Sequence, residues 1–188
     1  MKKGFTLIEL LIVIGILAIL TAAVVIVLNP AELLKQARDS QRLTDLDAMK
    51  NAIALFLADN KDFSSISNST CYASQIGATD CATRAVSASR TTIASSTSRA
   101  IDATGWLPVN LSSITSGSPL SNLPLDPINT VSGSLYYSAL FNTASTTFEL
   151  DATLESTKYQ SKAANTADGG NGLSSNVYEV GTAPGLSL

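Results

Sequence analysis

At 188 residues the chain has room for one membrane anchor and one modest domain. A net charge of −3, from 12 basic and 15 acidic residues scattered along the chain, gives no clustered basic face for nucleic acid. The absence of histidine removes the Ser–His and Cys–His dyads, and two cysteines cannot form a four-thiolate zinc site.

The most informative segment comes first. From Phe5 to Leu28 the chain reads FTLIELLIVIGILAILTAAVVIVL, with Glu9 as its one ionisable residue. The run from Leu10 to Leu28 reaches about 28 Å as a helix, close to the thickness of a hydrocarbon core. Lys2 and Lys3 precede it, which predicts a cytoplasmic N-terminus and an extracytoplasmic remainder. A carboxylate inside such a helix costs roughly 2.5–3.5 kcal/mol on insertion scales and more in simulations. Glu9 therefore calls for a cation, and no other residue of the apolar run supplies one.

Three readings fit this leader. A secretory signal peptide would be cut after Thr21-Ala22-Ala23, but the apolar run continues past that point. A plain signal anchor would carry Glu9 incidentally. The third is a class III leader, cut between Gly4 and Phe5. Lys2-Lys3-Gly4, then Phe5-Thr6-Leu7-Ile8-Glu9 and a long apolar run, closely resembles the type IV prepilins and the pseudopilins of type II secretion. The resemblance implies cleavage by prepilin peptidase, N-methylation of Phe5, and stacking of the N-terminal helices into a filament whose register Glu9 sets. Cleavage would create an ammonium group at Phe5, one helical turn from Glu9. Glu9 can pair with its own terminus or with that of a neighbour, and such a pair fixes register more reliably than it adds stability. Gly4 lets the peptidase approach the scissile backbone.

Many members of that family carry a proline within the apolar segment. Here Ala22-Ala23-Val24-Val25-Ile26 has none, and Pro30 follows Asn29. Either a kink or break sits at Asn29-Pro30, or Asn29 caps a separate helix that begins with Pro30 at the membrane surface.

Residues 29–60 read as an amphipathic helix. Leu43, Leu46, Met49, Ile53 and Phe56/Leu57 form its apolar stripe. Arg38, Asp39, Arg42, Asp45 and Lys50 form a charged face, expected to be solvated or to meet neighbouring subunits. Residues 61–105 are rich in Ser, Thr and Ala and read as a long loop, with a short helix expected over Arg84 to Ile101. Cys71 and Cys81 lie within it, and outside the cytoplasm a disulfide between them would add roughly 2.5–3 kcal/mol.

Residues 106–188 hold the expected sheet. Phe148, Leu150, Ala152 and Leu154 alternate with Thr147, Glu149, Asp151, Thr153 and Glu155, the pattern of a half-buried strand. Leu135, Tyr137, Ala139 and Phe141 alternate before it, and Asn142-Thr143-Ala144-Ser145 joins the two as a hairpin. Val177 to Val180 reads as a further short strand, and Trp106 and Leu107 are expected at the helix–sheet junction. Leu123-Pro124-Leu125-Asp126-Pro127 before the Tyr136-Tyr137 strand looks like the C-terminal region of major pseudopilins, which often bind calcium nearby. That resemblance makes Asp126, Asp151 and Asp168 candidate calcium ligands, against the plainer reading of an Asp-Gly turn. The Trp-Gly expected after the Asp-Pro step is absent; Ile128-Asn129 stands there.

The expected fold class is α+β and type IV pilin-like. Residues 1–4 are a leader and residues 5–28 a transmembrane and assembly helix. Residues 29–60 continue as the amphipathic helix, packed on a small antiparallel sheet within an extracytoplasmic domain of residues 61–188. The implied function is structural rather than enzymatic, with no cofactor beyond the calcium noted above. Implied partners are identical and related subunits, the prepilin peptidase, the membrane assembly platform and membrane lipid, in the cytoplasmic membrane and then a surface filament. The alternative is a membrane-anchored binding module that does not polymerise.

Overall fold

Thr6 starts the first helix. Its extended backbone (φ −78°, ψ 152°) and its hydroxyl cap α1, Leu7–Leu28, which is apolar on every side. The computed structural model describes residues 4–59, 61–79, 92–166 and 176–182, and it divides into two units, Met1–Lys35 and Gln36–Leu188. In the first unit α1 stands exposed, the large side chains described in it being between 47 % and 82 % accessible. An apolar face left in that state demands lipid or protein around it.

The chain breaks helix at Asn29, in the left-handed region (φ 41°, ψ 74°) that asparagine tolerates better than most residues. The Asn29 carbonyl accepts from Glu32 N at 3.0 Å and Leu33 N at 3.3 Å, and so opens α2, Pro30–Ala58. Pro30 stands at the first helical position, where its missing N–H costs nothing. Both sequence expectations share this break. Asn29 ends α1 and its carbonyl begins α2, but its dihedrals are those of a helix terminator rather than of an extended N-cap.

In the second unit, Leu43, Leu46, Met49, Ala52, Ile53 and Phe56 of α2 form the predicted buried stripe. They pack on one face of a five-stranded sheet ordered β2-β1-β3-β4-β5: β1 Thr70–Ala73, β2 Thr92–Ser95, β3 Tyr137–Asn142, β4 Thr147–Thr153 and β5 Val177–Gly181. β3 and β4 pair antiparallel from Tyr137↔Ala152 to Asn142↔Thr147, so the hairpin lies where the alternation placed it. Phe63 sits under this face, its ring 5.0 Å from that of Phe141 and 6.2 Å from that of Phe148, both edge-on. A helix unforeseen in the sequence, α3 at Thr157–Thr166, follows β4.

Four expectations need correction. The sheet is mixed rather than antiparallel, because β1 and β2 run parallel (Cys71↔Ile93). Parallel pairing needs a crossover of a dozen or more residues, and the 74–91 connection has that length. The helix expected over Arg84 to Ile101 is not formed in its described part. Thr92–Ser95 is a strand, in keeping with its Thr and Ile side chains, and residues 84–91 lie outside the described residues. β4 is buried on both faces, Glu149 and Asp151 included. Finally, the charged face of α2 is only partly solvated. Asp39 and Arg42 have no exposed surface, whereas Ser40, Gln41, Thr44, Asp47, Asn51, Ala54 and Leu55 face outward.

The stretch between β2 and β3 is irregular yet contributes a layer of core. Trp106, Leu107, Val109, Leu111, Ile114 and Leu123 are buried in it, and Trp106 Nε1 donates to the Pro124 carbonyl at 3.0 Å. Gly105 permits this path, since a Cβ there would lie 2.1 Å from the Ala100 carbonyl oxygen.

Candidate processing and assembly segment

Glu9 has a partner within its own chain. Its Oε2 accepts from Thr6 N at 2.9 Å and from Thr6 Oγ1 at 2.7 Å, while Glu9 N donates to Thr6 Oγ1 at 3.3 Å. This reciprocal capping box satisfies two of the amide groups that a helix N-terminus leaves open. It also sets a carboxylate against the positive end of the helix dipole. Thr6-x-x-Glu9 was legible as a box in the sequence. Reading Glu9 solely as a charge in need of a cation passed over the two donors three residues earlier. Both bonds fall on Oε2, and Oε1 takes no hydrogen bond among the described residues. Phe5, just before the box, is 85 % exposed, and nothing lies within 4 Å of a Cβ built on Gly4. From Leu7 to Val25 the helix is long and apolar enough to cross a membrane.

The other candidates lie in the second unit. Cys71, buried in β1, is disulfide-bonded, and Cys81 lies outside the described residues. Asp126 is engaged by Arg42, which grips both its oxygens, Nε to Oδ2 at 2.6 Å and Nη2 to Oδ1 at 2.9 Å. Its Oδ1 also accepts from Ile128 N and Asn129 N. Asp151 lies on the far face of β4, where Ser138 Oγ donates to Oδ2 at 3.1 Å. Asp168 lies outside the described residues. Among the described residues, Glu149, Asp151 and Glu179 come together, each with a carboxylate oxygen within 4.8 Å of the others. Asp126 is not part of this group.

Arg42 anchors a buried ionic cluster that the sequence did not disclose. Besides Asp126 it donates through Nη1 to Asp39 Oδ1 and Glu155 Oε2, both at 2.7 Å. Arg38 grips Glu155 with Nε and Nη2 at 2.8 and 2.9 Å. Asp39 accepts in turn from Glu155 N, Ser156 N and Ser156 Oγ, the last at 2.6 Å. Burial pushes the Glu155 carboxyl up, but the bonds from Arg38 and Arg42 outweigh it and hold the group below the usual carboxylate range. Asp45 goes the other way. Burial raises it, against the hydrogen bond from Tyr137 Oη at 2.8 Å. The i,i+3 spacing of Asp39 and Arg42 was visible in the sequence. Their burial was not, because it depends on Asp126 and Glu155, far along the chain.

Residues 1–25 match the family defined by the prokaryotic N-terminal methylation motif. No curated protein and no solved structure matches the chain. The motif and the exposed apolar helix, the one helix among the described residues long and apolar enough to cross a membrane, together indicate a membrane-anchored protein of a structural kind. The match falls on the residues that hold the Thr6–Glu9 box and most of α1, and the helix and five-stranded sheet that follow are consistent with a pilin-like α+β fold. The N-terminal segment of this chain is the class III signal peptide of type IV pilins and pseudopilins.

Proposed function

We propose that the chain is a filament subunit, a pilin or a pseudopilin, and not an enzyme. Residues 1–4 are the leader removed between Gly4 and Phe5, Phe5 is the methylated terminus, and residues 5–28 are the membrane and assembly helix. Residues 29–60 then carry the extracytoplasmic unit of residues 61–188. The carrying observation is the capping box on a wholly exposed apolar helix. It leaves Glu9 Oε1 to receive the Phe5 ammonium of a stacked neighbour, and a methylated amine keeps its charge and still pairs. Thr6 belongs to the processed chain, so the box is the same before and after cleavage. Prepilin peptidase, related subunits and a membrane assembly platform are the partners this reading requires. Cys71 pairs with Cys81 in the same reading, on the oxidising side of the membrane.

Mass spectrometry of the mature N-terminus tests the processing. A terminus at Phe5 with one added methyl group is expected, and an intact Met1 or a start at Val24 would overturn the reading. Replacing Glu9 with Ala tests assembly. Filaments are expected to vanish while the monomer still inserts. Unaltered polymerisation would remove the role given to Glu9 and favour a membrane-tethered binding module.

A further inference from the structure

From its start at Pro30, α2 presents exposed or half-exposed side chains through Arg38, and Asp39 is the first that is wholly buried. The apolar stripe takes over at Leu43. Between these points the helix is attached to the second unit by the ionic cluster. Through Asp39 and Arg42 it reaches two remote places in the chain: the Asp126 turn, and Glu155-Ser156, where β4 gives way to α3. We infer that this cluster is a clasp that sets where α2 begins to separate from the globular unit when its N-terminal end is disturbed.

The two kinds of attachment fail differently. Apolar side chains hold by area and can shift by fractions of an ångström without losing contact. The clasp is bidentate at Asp126 and at Glu155, so its bonds need fixed directions and are lost together. Asp39, Arg42 and Asp126 are buried, so losing one of them strands a charge away from water. Any peeling of α2 from its Pro30 end must therefore open the clasp before it reaches Leu43 and Leu46. Because Asp39 holds both amides at Glu155-Ser156, opening should also loosen the start of α3.

Hydrogen exchange of the full chain in lipid nanodiscs tests this. Arg42→Lys keeps the charge and loses the planar fork, and Glu155→Gln removes the shared acceptor charge; both are mild enough to leave the fold standing. Each is expected to speed exchange at residues 36–45 and 155–160 by at least about tenfold more than at Leu46–Ala58 and in β3–β4. Phe56→Leu, at the other end of the buried stripe, is the control; it should speed exchange only at residues 52–58. Unchanged protection at 36–45 in both clasp variants would overturn the inference. A uniform rise across helix and sheet would also overturn it, because the cluster would then serve global stability alone.

Discussion

Arg42 shows how far one side chain's surroundings can depart from its sequence neighbourhood. In α2 it has polar and charged neighbours, yet it is fully buried and bonded to three carboxylates. Burial lowers its tendency to hold a proton, and the bonds to Asp126, Glu155 and Asp39 more than reverse this, so it stays charged. Arg42→Ala leaves Asp39 and Asp126 buried without their cation and is expected to cost roughly 3–5 kcal/mol in denaturant unfolding. The acids also set a pH dependence. Glu155 has a folded-state pKa below its unfolded value, so its contribution is present above the normal carboxylate range and is lost as pH falls through the lower folded value. Asp59 acts in the same direction, held down to about 2 by Lys61 and by the Thr115 amide and hydroxyl. Asp45 has the opposite sign. Its folded pKa is raised, so it weakens the fold at neutral pH and ceases to do so as acid protonates it. In thermal melts between pH 7 and pH 3, Asp45→Asn is expected to gain stability at the neutral end and lose that advantage in acid. Glu155→Gln is expected to be destabilised at neutral pH and to draw level with the parent in acid.

Helix ends carry the element-scale consequences. Thr6→Ala removes the hydroxyl that caps α1 and is expected to cost about 1 kcal/mol of helix stability, while Thr6→Ser restores it; circular dichroism of detergent-solubilised protein reads the difference. Asn29→Gly should be tolerated, because glycine adopts positive φ freely, whereas Asn29→Val puts a β-branched residue there and should shorten α1 or α2 at the break. These elements were legible to different degrees. Local pattern was enough for three of them: α1 is an unbroken apolar run, and the α2 stripe and the β3–β4 hairpin are a 3.6-residue and a two-residue repeat with turn residues at their ends. β1 and β2 are four residues each, too short for a period to stand out, and their parallel pairing spans a long connection. α3 carries few apolar residues in its sequence, Thr-Lys-Tyr-Gln-Ser-Lys-Ala-Ala-Asn-Thr, so no stripe announced it. Its starting point is fixed instead by Asp39 of α2, which accepts from Ser156 N and Oγ.

For the molecule as a whole, the sequence separated the exposed apolar helix from the globular unit, but it misjudged which polar residues would see water. Glu149, Asp151 and Asp39 all sit in patterns that normally mean a solvated face, and all three are buried. A second layer beyond the sheet produces the first two cases, where Cys71, Ala73, Ala78, Tyr136 and Leu140 form a smaller core behind the strands. No local pattern reveals a second layer, because it is made by segments distant in the chain. Cys71 is part of that smaller core. Replacing both cysteines with serine is therefore expected to lower whole-molecule stability by roughly 2–5 kcal/mol, and reduction of the parent should reproduce most of that loss in chemical denaturation.

The Thr6–Glu9 box has a further consequence for timing. All of its atoms lie downstream of the Gly4–Phe5 bond, so the trimming proposed there would leave the acid as it is and only uncover an amine. On the filament reading, an untrimmed chain is a finished socket without a plug: it can receive a neighbour's terminus but has none to offer. A small fraction of such chains mixed with processed ones should therefore stop growth at one end only, giving shorter fibres rather than none.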